Sequence, residues 1–279
     1  MGKLLYIIKI IFSTLFILAI LLICYLLLAS PKEKRFLFAE HAQGMFLSQK
    51  IFDILIFQNP DYSDAYFEKS VAYNKRGDYE KGFELLDKAV DINPESHLGY
   101  RGWLKLDKIR DYQGCIDDLT RLDTLTPNFV DAPWGDNIYH LLGLSYKGLK
   151  NYDEALKNFD ACINSAKDTS WVNTDVFLYK GIILNELGNY EKAIENFKVC
   201  LKLSNDDSEA YYNLGKSYAG LDSLKEAKIY FNKSLELFKK GHRRRDYYNE
   251  LPNQLYLSDI NDQLNQLEFL LYRKEIVEY

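Results

Sequence analysis

The sequence lacks the residue groupings that commonly announce chemistry. There is no HExxH, GxSxG or GxGxxG motif and no phosphate-cradling GxxxxGK(S/T) loop. Only four histidines occur in 279 residues, His41, His97, His140 and His242, and they are scattered. Cysteine is equally sparse, and no CxxC pair exists, which argues against zinc. Cys24 lies in the apolar N-terminal run. Cys115, Cys162 and Cys200 each fall on a core position of a repeat's second helix, and adjacent copies lie about a helix-pair width apart, too distant for disulfides. They read as small core hydrophobes. The acidic pairs Asp117-Asp118 and Asp206-Asp207 read as a solvated helix face and a capping turn. No catalytic residue, metal or cofactor is expected. Net charge is −5, and Lys3 and Lys9 are the only charges in residues 1–30, so the remainder carries 33 basic against 40 acidic residues. An acidic body argues against nucleic acid as the partner.

What the chain does have is a repeated spacing. A bulky residue is followed by a small one three on, a bulky one four on, and a small or apolar one three on. The copies are Tyr79, Gly82, Leu86, Ala89; Tyr112, Cys115, Leu119, Leu122; Tyr152, Ala155, Phe159, Cys162; Tyr190, Ala193, Phe197, Cys200; and Leu224, Ala227, Phe231, Ser234. A worn copy is Met45, Ser48, Phe52, Leu55. Steps of 3, 4 and 3 place all four on one face of an α-helix. A period near 34 residues marks a helical repeat array.

Each copy has a partner helix upstream, two of them clear: Tyr139-x-x-Leu142-Gly143-x-x-Tyr146 and Tyr211-x-x-Leu214-Gly215-x-x-Tyr218. Turns recur as Arg76-Gly77-Asp78-Tyr79, Leu149-Lys150-Asn151-Tyr152 and Leu187-Gly188-Asn189-Tyr190. Pro60, Pro94 and Pro127 each follow a second helix, which proline cannot continue. Over residues 32–240 this resembles the tetratricopeptide repeat (TPR) family. The resemblance implies an all-α fold, a right-handed superhelix of about six helix pairs. It assigns an array over 31–240, with a degenerate pair at 31–60 and pairs at 63–94, 96–127, 136–167, 174–205 and 208–240. A capping segment would follow at 241–279. Two departures stand out. Gly99, Gly102 and Trp103 occupy the places of bulky, apolar and small residues in one first helix. Lys69 and Lys180 sit where leucine is usual.

From Ile10 to Pro31 there is no charge. A helix of that length spans about 33 Å, matching a hydrocarbon core of roughly 30 Å. Residues 1–30 are therefore expected to be a transmembrane anchor. The alternative is a cleaved signal on a secreted or periplasmic protein, although Leu27-Leu28-Ala29 is a poor cleavage site. Ser30-Pro31-Lys32-Glu33 reads as a helix cap with a capping box. Lys3, Lys9 and the amino terminus favour an inside N-terminus, while Lys32, Lys34 and Arg35 oppose it. A short tail is easily kept inside, which favours an array on the outer side of a bacterial-type inner membrane.

In the family, partners bind on the concave face lined by the first helices. Carried onto this chain, that face comprises Phe67, Val71, Asn74, Tyr100, Leu104, His140, Leu144, Lys147, Leu178, Ile182, Asn185, Tyr212 and Lys216. Most are apolar, so the Lys/Arg/Asn clamp that some members use for a C-terminal carboxylate is not expected. An apolar helix or extended peptide suits the groove, unless the protein's own tail fills it. That tail begins with Gly241-His242-Arg243-Arg244-Arg245, a run that either faces acidic residues and solvent or binds headgroups. Beyond Leu251-Pro252 follows a stripe of Leu257, Ile260, Leu264, Leu267 and Leu271, suited to capping the array.

Two loops break the period: Tyr112 to Tyr152 is 40 residues and Tyr152 to Tyr190 is 38, against 33 from Tyr79 to Tyr112. The excess falls at 128–136 and 168–173, each with a tryptophan. Insertions in a repeat array map to one edge, often the binding edge. Trp134 and Trp171 are expected to be partly exposed and to form one end of a partner site with Asp131 and Asp136; the alternative is that they plug widened gaps. The expected function is a membrane-anchored, non-catalytic scaffold for a protein or peptide partner. An accessory subunit of a membrane enzyme or of a secretion or assembly complex is the alternative.

Overall fold

The structure, a computed structural model, describes residues 2–246 and 249–277, with the backbone alone at 2–5, 23, 24, 26, 27, 275 and 277. Every element among them is helical. In order these are α1 (Gly2–Cys24), α2 (Lys32–His41), α3 (Phe46–Gln58), α4 (Ser63–Lys75), α5 (Tyr79–Ile92), α6 (Pro94–Ile109) and α7 (Tyr112–Leu125). Then come α8 (Ile138–Gly148), α9 (Tyr152–Ser165), α10 (Thr174–Glu186), α11 (Tyr190–Leu203), α12 (Ser208–Gly220), α13 (Leu224–Lys239) and α14 (Leu257–Val277). The chain forms two compact units, residues 1–101 and 102–279.

In the first unit α1 passes through a π-helical turn, Tyr25–Ala29, before α2 begins. Because the chain stays helical to Ala29, the Ser30 N–H donates to the Tyr25 carbonyl at 2.9 Å. The expected Ser30 cap is replaced by Pro31, which provides no side-chain hydrogen bond. The Gln58 amide donates to the Leu28 carbonyl at 3.3 Å and accepts from Arg35 at 2.7 Å. All described side chains of α1, Tyr6 to Leu22, are exposed. Among the described residues no helix is long and apolar enough to cross a membrane. The side chains of Lys3 and Cys24 lie outside the described residues. Pairs α2–α3 and α4–α5 stack around Ala39, Ile51, Phe52, Leu55 and Ala65.

In the second unit the small residue of each first helix receives the bulky residue of the second. A Cβ on Gly102, Gly143, Gly181 or Gly215 would lie 2.8, 2.5, 2.5 or 2.8 Å from Leu119, Phe159, Phe197 or Phe231. Those four partners are wholly buried. Successive pairs are joined by a second contact. Tyr112 and Tyr190 pack on Gly148 and Gly220 of the next first helix, and Tyr152 donates its hydroxyl to Glu186 at the equivalent position. Helix α14 covers α13, with Leu267 against Leu224 and Phe231.

The turns explain the irregular repeat. The N–H groups of Asp78, Asn151, Asn189 and Ser223 each reach back five residues, to Tyr73, Tyr146, Leu184 and Tyr218. Asp111 reaches back six, to Lys105. One extra residue in that turn shifts α6 by one position against the sequence pattern. Gly102, rather than Trp103, therefore takes the small position and packs on Leu119 as its counterparts do. The same register places Arg101 at the leucine position, beside Lys69 and Lys180. All three are basic, and all three reach an aspartate on the preceding second helix: Asp87 at 2.8 Å, and Asp53 and Asp160.

Candidate protein-interaction surfaces

The first helices of the second unit are overlain by the chain itself. Between α13 and α14 a strap, described over residues 241–246 and 249–256, crosses the first helices. Arg244 pins one end. Its Nε donates to Asp207 at 2.8 Å, its guanidinium also reaches Asp175, and Nη2 donates to the Thr174 hydroxyl at 3.2 Å. The Arg244 N–H donates to Glu209 at 2.9 Å. Farther along, Asn249 reaches Asp107 at 3.3 Å, and Arg110 donates to the Glu250 carbonyl. The strap then returns. Tyr179 donates its hydroxyl to the Pro252 carbonyl at 3.1 Å, and Lys147 donates to Asn253, which has φ 57°. Leu255 is buried against Phe238 and Ile260.

The electrostatics of the pin follow from its burial. Two carboxylates, Asp175 and Asp207, meet the guanidinium, and a third, Glu209, accepts from the Arg244 backbone N–H. Desolvation pushes Glu209 up to about 7, with Asp207 adding repulsion, and pushes Asp207 itself upward. Burial lowers Arg244 to about 10. Desolvation also raises the Cys115 and Cys162 thiols to about 12 and about 11, and raises that of Cys200. All three are free and buried, as inert core residues should be.

The groove residues inferred from the sequence fall in several environments. Val71, Asn74, Tyr100, Leu104, His140, Leu178 and Ile182 are buried. In the first unit Phe67 stacks on His97, centroids 5.0 Å apart, and meets Tyr100 edge-on. Leu144 and Lys147 line a cleft of about 410 Å³ with Pro252 and Asn253. Asn185 donates to the Asn213 carbonyl at 3.1 Å and accepts from Ser217 at 2.7 Å. Tyr212 leans on Phe231, and exposed Lys216 lies 5.9 Å from the Tyr212 ring. In the register set by Gly102, the residue equivalent to Leu144 is Trp103. Asp118, read as solvated, is not, and Asp207, read as a capping residue, caps its helix from a buried position. Asp118 is buried and pairs with Lys105 at 2.8 Å, and Asp207 is buried while also capping α12 through Ala210 N–H at 2.9 Å. The arginine socket went unseen because its parts lie about 35–70 residues apart; the basic run 242–245 was its only local trace.

The two inserted loops flank a separate cleft of about 410 Å³ lined by Asp131, Asp136, His140, Cys162 and Trp171. Trp171 is 77% exposed and Trp134 57%. Asp131 accepts from the Thr126 hydroxyl, which closes the first loop. Asp136 lies 3.6 Å from His140 Nδ1. Among the described residues no group of His, Cys, Asp and Glu is arranged to hold a metal ion.

Stacked helix pairs with these contacts define a repeat protein of the protein-binding kind. The chain carries tetratricopeptide repeats: that family's motif matches residues 47–97, 136–169, 181–222 and 208–240. Among solved structures, the fold is similar to that of MamA, with 21% identity and a TM-score of 0.56 over 68% of this chain and 97% of that one. MamA 41-end from Desulfovibrio magneticus RS-1 gives 20% identity and 0.56, covering 64% and 96%. YrrB, described as a TPR protein with an unusual peptide-binding site, gives 17% and 0.54, covering 67% and 91%. No curated protein matches the chain.

Proposed function

We propose that this chain is a membrane-anchored, non-catalytic scaffold that holds a protein partner at the edge built by its two inserted loops. The observation that carries the partner site is the pair of exposed tryptophans beside a carboxylate-lined cleft. A large aromatic in water is poorly placed unless something covers it, and tryptophan is enriched at interface hot spots. The repeat fold supports a scaffold rather than an enzyme. The anchor reading is supported by α1, whose backbone is helical over 23 residues and whose described side chains are exposed, apolar on every side and uncharged beyond Lys9. Lys3 and Lys9, in its N-terminal part, favour a repeat array on the outer face of a bacterial-type inner membrane.

The tests are separable. Full-length protein should stay in the membrane pellet through alkaline carbonate; release of the intact chain sinks the anchor. Photo-crosslinker placed at Trp171 should capture a discrete protein partner in cells, and Asp136→Asn should abolish that product. An unchanged crosslinking pattern sinks the edge site.

A second reading, a permanent subunit of a larger assembly, is favoured by α14. Its Phe269, Leu270, Tyr272 and Ile276 are all exposed, a row suited to a stable interface.

A further inference from the structure

The first helix pair breaks a rule that every other pair keeps. Two positions on each second helix face outward: the residue after the one that opens the spacing motif, and the residue eleven further on, three turns along the same stripe. From α5 to α13 the first position holds Glu80, Gln113, Asp153, Glu191 and Lys225, and the second holds Asp91, Thr124, Asn164, Lys202 and Glu236. All of these are polar and exposed. In α3 the same two positions are Phe46 and Phe57, 79% and 86% exposed. Large aromatics where the array otherwise places polar groups call for a neighbour other than water. Their location names it. Gln58, next to Phe57, donates its amide to the Leu28 carbonyl at 3.3 Å, so Phe57 stands beside the end of the apolar helical run. Leu47 and Ile54 share the stripe of Gln58, at steps of seven and four, and Leu47 is exposed. That run is uncharged from Ile10 to Pro31, and Lys32 and Lys34, both exposed, follow it directly. The one acid of α3, Asp53, is ion-paired with Lys50 at 3.3 Å and with Lys69. Lys50 in turn lies 5.7 Å from the Phe46 ring, a stem along apolar surface with its charge at the edge.

We propose that α3 lies along the membrane surface, with its Phe46–Phe57 face sunk into the boundary between headgroups and acyl chains of the bilayer that α1 enters. The proposal rests on the anchor reading and adds a second, interfacial contact with lipid. Aromatic rings are favoured at that depth, and a helix with an apolar face bordered by lysines settles in the interface plane. The two rings are separated by about 16 Å along the helix, so both reach lipid only where its axis runs close to parallel with the surface. Lys32, Lys34 and Lys50 then lie at the level of the headgroup phosphates.

The experiment places Phe46→Trp and Phe57→Trp singly in the full chain, reconstituted into vesicles of phosphatidylcholine and phosphatidylglycerol. Wild type supplies the background from its three tryptophans. Each added indole should lose about half its emission when the phosphatidylcholine is brominated near the top of its acyl chains, and should resist quenching by iodide in the water. Iodide quenching without a bromolipid effect overturns the proposal and leaves the face in water. Shielding from both quenchers overturns it in favour of a second copy of the chain. Lipid quenching at one position alone also overturns it, since α3 then stands away from the surface. Flotation after alkaline carbonate separates this proposal from the anchor. A chain that leaves the vesicles sinks both readings, whereas a chain that stays and shows no lipid quenching sinks only this one.

Discussion

Trp134 stacks on Trp103, with ring centroids 5.4 Å apart and 27° between the planes. The contact joins the first inserted loop to α6 while leaving more than half of Trp134 in solvent. The loop residue holds φ 54°, the left-handed region, to present its ring this way. Trp134→Ala should therefore cost about 1 kcal/mol, the scale of one aromatic pair. Trp171→Ala should cost less than about 0.5 kcal/mol, as exposed positions do. Urea melts of both variants check the difference. Equal large losses would make both rings plugs.

Gly181→Ala should be among the most damaging small changes. The new methyl would sit 2.5 Å from the Phe197 ring, which is wholly buried and has no room to retreat. Overpacking of this kind costs roughly 1–3 kcal/mol. Adding Phe197→Leu should recover part of that loss, since the shorter side chain yields space. A double-mutant cycle reads the recovery as a coupling energy, and strict additivity would show that the two positions are not in contact.

Glu209 gives the stability a pH dependence with a definite sign. Its folded value is raised to about 7 from 4.5, so the folded state holds the proton more tightly than the unfolded chain. That contribution is present in full below about pH 4.5 and is lost as pH rises through about 7. Glu209→Gln removes the ionisation and keeps an oxygen for the Arg244 N–H. The variant should gain on the order of 1–3 kcal/mol over wild type at pH 8, with the gain shrinking toward pH 5. Denaturation at pH 5, 6, 7 and 8 checks it; a pH-independent difference would assign the effect elsewhere.

Ile182→Glu should unfold the second unit rather than disarm a binding groove. Ile182 is 5% exposed within the core that includes Phe159 and Phe197. Burying an unpaired carboxylate there costs more than about 3 kcal/mol. Leu144→Glu, beside the strap and only half-buried, should be milder. Circular dichroism of the two single variants separates them.

How much of this was legible follows from what each signal encodes. The helix pairs are local: a 3-4-3 spacing written in contiguous residues fixes which face packs, and Phe159, Phe197 and Phe231 lie where it puts them. The two long loops were legible as excess length. The slip in α6 was not, because a single added turn residue shifts no hydrophobic pattern until its partner Leu119 is seen against Gly102. Ion pairs such as Arg101 with Asp87 join positions that no short window contains. The strap was readable only as a possibility: its basic run told of charge, and the carboxylates that meet it are assembled by folding from α10 and α12.

The passage from α1 into α2 has a mechanical meaning. A flexible leash would let the first unit tumble under its helix, but here the π-helical turn runs to Ala29 and Gln58 grips the Leu28 carbonyl while holding Arg35. Bending at this joint breaks the Gln58–Leu28 hydrogen bond. Helix α1 and the α2–α3 pair thus behave as a mast with its first spar bolted on: rotation of the helix about its axis swings the pair with it, and the pair's heading is set by the helix rather than by diffusion.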